Sequence, residues 1–294
     1  MRILLLGKNG QVGWELRRSL VPLGEIIAWD VDELDLTQVG AIGLAVRKAK
    51  PQVIVNASAY TAVDKAEQEP EIAKLVNAEA PTILAQEAKV LGAWFLHYST
   101  DYVFDGKKGS PYTEEDEPNP INVYGRTKLE GEQGVLEADG LALILRTSWV
   151  YSLRQESFVT KVLKWSREQE TMQVVDDQIG SPTWARMLAE VTAALLVKGQ
   201  ALGEDWLKER RGVYHLAGSG AVSRYEWAKE ILRLDPKREE QIVQSVKPVK
   251  SDWFPTAAKR PAFTALDCLH FQEAFMVRIP YWKDALSLAM KQLV

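Results

Sequence analysis

The first half of the chain alternates short apolar runs with longer stretches in which apolar residues recur every three or four positions. The runs cover 3–6, 26–29, 53–56, 94–98 and 141–146. They are continuously hydrophobic, which is the signature of parallel strands covered on both faces. Between the first two, Val12, Leu16 and Leu20 recur at a spacing of four and predict a helix over 14–21, with Gly24 as its stop. A second helical pattern runs over 75–91, where Pro81 is expected to kink or divide it. Repeated strand–helix units predict an α/β fold, a doubly wound parallel sheet of Rossmann type.

After Arg146 the rhythm loosens. Helices are predicted over 158–167 and 187–196, and short strands over 173–175 and 213–216. Ser223 with Glu226 three residues later reads as a capping box opening a helix over 225–232. The Lys- and Pro-rich segment 235–261 reads as loop. Segments 107–120 and 202–211 read as surface loops, placed to border a cleft. The division this suggests is a dinucleotide-binding domain over 1–148 and a smaller substrate domain over 149–294, with 172–200 returning to the Rossmann sheet.

Composition narrows the field. With 46% hydrophobic and 26% charged residues, a disordered chain, a collagen and a coiled-coil rod are excluded. The 36 basic and 40 acidic residues give a net charge of −4, so no nucleic-acid footprint is expected. The single cysteine, Cys268, allows no intramolecular disulfide and no cysteine zinc site. His97, His215 and His270 are scattered, which argues against a histidine metal site. The run over 3–6 is shorter than the roughly 7–15 apolar residues of a secretory core or the roughly 20 of a membrane span. The expectation is a soluble, cytoplasmic protein without a membrane partner.

The first candidate for chemistry is the loop Gly7-Lys8-Asn9-Gly10-Gln11-Val12-Gly13, between the first strand and the first helix. Glycines let the backbone approach a pyrophosphate, and the helix N-terminus offers N–H donors and a positive dipole end. The G-x-x-G-x-x-G spacing is that of extended short-chain dehydrogenase/reductases. Asp30 ends the second run, where a carboxylate accepts hydrogen bonds from an adenosine ribose and favours NADH. Asp35 and Leu36 are a second candidate adenine contact. Arg17 and Arg18 are the arginines nearest a 2′-phosphate, so NADPH is expected to serve as well.

The second candidate is Tyr124-Gly125-Arg126-Thr127-Lys128. Residues four apart share a helix face, so the Lys128 ammonium is expected beside the Tyr124 phenol, lowering its pKa. The fourth run leads into Ser99-Thr100-Asp101, at the strand end where open α/β sheets bind ligands. Thr100, with Ser99 as the alternative, is expected to bond a substrate carbonyl. His97 is expected to be a packed residue.

Four segments together resemble the dTDP-4-dehydrorhamnose reductase family. They are Ser-Thr-Asp-Tyr-Val-Phe-Asp-Gly at 99–106, Asn-Val-Tyr-Gly-Arg-Thr-Lys at 122–128, Arg-Thr-Ser-Trp-Val-Tyr at 146–151 and Asp-Gln-Ile-Gly-Ser-Pro-Thr at 177–183. The segment 56–67, Asn-Ala-Ser-Ala-Tyr-Thr-Ala-Val-Asp-Lys-Ala-Glu, fits as well, and the motifs run in family order over roughly 1–270. The resemblance implies reduction of the 4-keto group of dTDP-4-dehydro-L-rhamnose by NADH or NADPH, with a dTDP-sugar as the partner. It implies Gly10, Gln11 and Val12 on the pyrophosphate, and Asp30, Asp35 and Leu36 around the adenosine. Ala59, Tyr60, Thr61 and Tyr98 would line the cofactor further along, Tyr60 departing from the family's histidine. Thr100, Tyr124 and Lys128 would be the catalytic trio. Thr100, Asp101 and Trp149 would contact the sugar, and Arg260 the diphosphate. Gln178 and Gly180 would form a cleft turn. The family also implies a homodimer bridged by magnesium, toward which Glu15 points, with Arg186 and Lys291 nearby; Glu15 by itself reads as a solvated helix residue. Two alternatives stay open: another nucleotide-sugar epimerase or ketoreductase, and a non-catalytic regulatory subunit of the kind that partners methionine adenosyltransferase.

Overall fold

A computed structural model describes residues 1–293. Six parallel strands form the central sheet: β1 (Arg2–Leu6), β2 (Glu25–Trp29), β3 (Val53–Asn56), β4 (Trp94–Thr100), β5 (Ala142–Thr147) and β6 (Gly212–His215). Their order across the sheet is β6-β5-β4-β3-β1-β2. All five strands expected in the first half form, within two residues of the apolar runs that encode them.

Alternate residues of each strand enter different cores, as a two-residue period requires. Ile3, Leu5, Val55, Leu96 and Leu145 face one side, packed with Leu16, Leu188 and Leu195. Leu4, Leu6, Ile54, Phe95 and Ile144 face the other, packed with Ile42 and Leu84. The first face is covered by α1 (Gln11–Ser19) and α5 (Ala185–Leu202). The second is covered by α2 (Val39–Ala49), α3 (Ala80–Leu91) and α4 (Val123–Glu137). Burying each such Leu or Ile contributes about 1.5–3 kcal/mol. From β1 the chain crosses one way to β2 and later the other way to β3, so a crevice opens between β1 and β3 at the strands' carboxyl ends.

Several boundaries differ from the sequence reading. Pro81 does not divide the 75–91 pattern: helical backbone runs on from a π-helical turn, Leu75–Glu79, into α3, and Pro81 sits just past that wider turn. Gly24 closes a 3₁₀ turn, Val21–Leu23, while α1 itself ends at Ser19. Residues 172–200 supply α5 to one face of the sheet, and the added strand is β6. The segment 235–261 contains a strand, Ser245–Val249, parallel to Thr171–Val175, with Pro248 opposite Val174. Both belong to a two-stranded ribbon, whose edges tolerate a proline. The segment 202–211 contains a short helix, Glu204–Lys208. Ser223 caps α6 (Arg224–Leu234) by accepting from the Glu226 N–H, but the Glu226 carboxylate turns to Lys229, so only half of the capping box forms. No helix among the described residues is long and apolar enough to cross a membrane.

Candidate active site

A cavity of about 700 Å³ opens over the carboxyl ends of β1, β3 and β4. Its wall begins with the glycine loop. Gly7 adopts φ of 80°, and a Cβ there would stand 2.8 Å from the Ala57 backbone, so the loop rests directly against the end of β3. A Cβ on Gly13 would come within 1.9 Å of the Gly7 carbonyl. Gly13 therefore closes the turn from behind and does not line the cavity, whereas Gly7, Gly10, Gln11 and Val12 do. α1 opens without a side-chain cap and without an acidic residue in its first turn. Its N–H groups are left for an anion. A dinucleotide pyrophosphate fits these free N–H groups. The buried Gln11 Oε1 has no hydrogen-bond partner and, as an acceptor, is left for a donor such as a sugar hydroxyl.

The next stretch of wall is Asp30, Asp35 and Leu36. The Asp30 carboxylate accepts from the backbone N–H groups of Asn9 at 2.9 Å and Val31 at 3.0 Å, tying the glycine loop to β2. Asp35 accepts from the Thr37 N–H and hydroxyl. Arg17 and Arg18 do not line the cavity; Arg18 lies over the Trp14 ring and donates to the Trp14 carbonyl. Ala59, Tyr60 and Thr61 continue the wall. The Tyr60 hydroxyl donates to Glu69 at 2.6 Å, which raises the phenol's pKa.

The floor is made by the end of β4 and the first turns of α4. Asn122 caps α4 by accepting from the Gly125 N–H, and the helix then presents Tyr124 and Lys128 on one face. The expected effect of that pairing is absent. Lys128 Nζ reaches β4, donating to the Tyr98 carbonyl at 2.7 Å and meeting His97 Nε2 at 3.1 Å. Burial raises the Tyr124 pKa well above its ordinary value, opposed by the neighbouring Thr100 hydroxyl, and Lys128 does not enter the balance. Burial likewise brings Lys128 down to about 8. At neutral pH the phenol therefore holds its proton. Thr100 also accepts from the Tyr102 N–H at 3.1 Å and donates to Asp101 at 3.2 Å.

Other residues named from the sequence divide. Ser99 is committed to Glu132 at 2.5 Å and is no alternative to Thr100. The Tyr98 hydroxyl bonds Thr192 of α5 at 2.6 Å, so Tyr98 offers the cleft mainly its backbone. His97 is fully buried, packed as expected. Asp101 lines the cavity yet is buried and receives hydrogen bonds from Ser148 and Thr264; desolvation still pushes its pKa up to about 6. Trp149 lines the cavity in a left-handed conformation, φ of 43°, with its ring stacked on Trp227. Arg260 lies outside the lining and is engaged by Asp64 through both nitrogens, at 3.0 and 2.6 Å. Gln178 bonds Ser251 and Gly180 pairs with Val222, so neither forms a cleft turn. The arginine that does line the cleft is Arg224, whose guanidinium lies 4.0 Å over the Trp149 ring. It was missed because the sequence offers only a residue following a cap, with nothing to show that α6 aims it inward.

Glu15 is buried rather than solvated, with its pKa raised by that burial. Its groove holds Arg18, Arg186, Glu190 and Gln292, and Arg186 pairs with Glu190 at 2.9 Å. Among the described residues no group of three or more His, Cys, Asp or Glu could hold a metal. Within one chain the groove brings together two carboxylates, Glu15 and Glu190.

The sheet, the glycine loop and the tyrosine–lysine helix over one crevice define an extended short-chain dehydrogenase/reductase. The family model described as the RmlD substrate binding domain matches residues 1–294. The chain is 42% identical to the dTDP-4-dehydrorhamnose reductase of Burkholderia thailandensis, over 100% of this chain and 99% of that one. Among solved structures it is similar to the dTDP-4-dehydrorhamnose reductases of Clostridium acetobutylicum (TM-score 0.88, 36% identity, 100% and 99% coverage) and Bacillus anthracis in complex with NADP (TM-score 0.89, 32% identity, 99% coverage of both). The chain belongs to the dTDP-4-dehydrorhamnose reductase family.

Proposed function

We propose that this protein reduces the 4-keto group of dTDP-4-dehydro-L-rhamnose to the alcohol of dTDP-L-rhamnose, using NADH or NADPH. The observation that carries the reading is the Thr100–Tyr124 hydroxyl pair on the floor of a dinucleotide-shaped crevice, in a chain whose full length matches the family. The bound dinucleotide supplies the hydride. Gly7, Gly10, Gln11 and Val12 hold its pyrophosphate, with Gly13 keeping the turn closed. Asp30, Asp35 and Leu36 surround the adenosine, and Ala59, Tyr60 and Thr61 the ribose beyond it.

Tyr124 donates the proton that the new alkoxide needs, and burial keeps that proton on the phenol until charge develops on the substrate oxygen. Thr100 orients the same oxygen. A positioned general acid is worth about 10²–10⁴-fold. Lys128 holds the nicotinamide ribose. Asp101 fixes Thr100, Trp149 packs on the sugar, and Arg224 takes the diphosphate, while Arg260 anchors the neighbouring loop to Asp64. Residues 1–148 serve mainly the dinucleotide and 149–294 mainly the sugar nucleotide. The site of action is the cytoplasm, where both are supplied.

The test is to offer the purified protein several 4-keto nucleotide sugars with NADH and with NADPH, following loss of the reduced nicotinamide absorbance. Turnover is expected with dTDP-4-dehydro-L-rhamnose. No oxidation with that substrate, or faster turnover of a different sugar, contradicts the proposal.

A further inference from the structure

Three elements converge beneath the cleft floor: β3 through Asn56, β4 through His97 and α4 through Lys128. All three side chains are buried. The Ser58 N–H donates to Asn56 Oδ1 at 3.0 Å, which settles the orientation of that amide. Asn56 Nδ2 therefore faces His97 Nδ1, 3.1 Å away. An amide nitrogen only donates, so Nδ1 must accept, and a neutral imidazole then carries its proton on Nε2. Nε2 lies 3.1 Å from Lys128 Nζ. An ammonium has donors only, and would set N–H against N–H. An amine has a lone pair for the Nε2 proton and still donates to the Tyr98 carbonyl at 2.7 Å. Only with the amine does every group in the chain find its partner.

We propose that Asn56 and His97 hold Lys128 as an uncharged amine in the ligand-free protein, His97 donating from Nε2 to Nζ. His97 is thus a positioning residue: it acts on the site through Lys128. The charged groups around Lys128 leave this arrangement in place. Glu132, one turn along α4, favours the ammonium, but its carboxylate is bonded by Arg146 at 2.6, 2.9 and 3.1 Å and by Ser99. Asp101 is taken up by Ser148, Thr264 and Thr100. Tyr124 is a neutral phenol. Complete burial lowers the Lys128 pKa to about 8, so the amine is the main form above that pH, and burial disfavours a doubly protonated His97. The ammonium that holds a ribose then forms as Nζ leaves His97 for the dinucleotide. That last step rests on the function proposed above; the tautomer does not.

The test is ¹⁵N NMR of the full-length, ligand-free protein labelled at histidine. There are only three histidines, so single substitutions of His215 and His270 assign His97. At about pH 9, above the Lys128 pKa of about 8, the Nε2-protonated tautomer is expected. An Nδ1-protonated ring or an imidazolium overturns the inference. Asn56→Asp places a carboxylate against Nδ1 while keeping the acceptor for Ser58. The tautomer is expected to reverse, Nε2 to accept from an ammonium, and the alkaline limb of kcat/KM to move up by about one pH unit. An unchanged tautomer in this variant also overturns the inference, and if the variant does not fold, the unmodified protein still decides. Since NMR reads no turnover, an active protein with the wrong tautomer refutes this inference alone. An inactive protein with the expected tautomer refutes only the reductase reading.

Discussion

Lys128 and Glu132 stand one helical turn apart on the same face of α4, both buried, and their surroundings are opposite in kind. Glu132 meets Arg146 in a forked pair 2.6 Å across and accepts a further bond from Ser99. It is a charge with a matched counter-charge, and it clamps α4 to β4 and β5. Lys128 meets a carbonyl and an imidazole, neither of them charged. A fold keeps an uncompensated buried lysine only at a cost in stability, and such sites are where chemistry is done. The difference separates what holds the sheet together from what the crevice uses.

The largest effect separating the two is expected at the neighbour of Lys128. Tyr124→Phe removes the proton donor and should lower turnover by about 10²–10⁴-fold while dinucleotide binding, followed by fluorescence titration, stays intact. Equal turnover would show that the crevice works without the phenol. At the other residue, Glu132→Ala leaves Arg146 buried without its partner and should cost about 3–5 kcal/mol in urea unfolding. A loss below about 1 kcal/mol would reduce the pair to an ordinary surface bridge.

Lys128→Met should do the reverse of Glu132→Ala. The folded protein holds Lys128 at about 8 against an ordinary 10.5. As pH falls below 10.5 the unfolded chain gains a proton that the folded one refuses until about 8, so stability is lost on acidification. The methionine variant avoids that loss, less the hydrogen bond to Tyr98, and should be about 1–2 kcal/mol more stable at pH 7. The gain should shrink at pH 10, and turnover should collapse. A variant destabilised alike at both pH values would make Lys128 a structural residue.

Asp101→Asn should have an effect on stability of similar size. The carboxyl is held near 6 against an ordinary 3.8, so ionisation at higher pH costs stability. Relative to the parent, the variant should gain about 2 kcal/mol as pH rises from 4 to 6 and little beyond, read from unfolding midpoints across that range. The smallest effect is expected from a chelator. With arginines rather than a third carboxylate around Glu15, EDTA should change neither turnover nor sedimentation.

The strands were legible because continuous apolar runs bounded by glycine and polar residues have few other uses, and β1, β3 and β4 emerge from them nearly to the residue. The glycine loop and the Tyr124–Lys128 spacing were legible as local patterns. Distant side chains decide what those patterns do, and no spacing records them. Lys128 turns to His97 and Tyr98 because β4 lies under α4, Arg260 is captured by Asp64 nearly two hundred positions away, and Arg224 enters the cleft only through the packing of α6 on Trp149. The Ser245–Val249 strand was hidden by Lys247 and Pro248, which a ribbon edge accepts.

The most direct test of the reductase reading follows the transferred hydrogen itself. The protein is supplied with NADH or NADPH carrying deuterium at the transferring position of the nicotinamide, together with dTDP-4-dehydro-L-rhamnose, and the product is read by mass spectrometry and NMR. The account predicts one deuterium at carbon 4 of the sugar for each dinucleotide oxidised. A sugar product without deuterium, or a dinucleotide that stays reduced while the sugar changes, would contradict it.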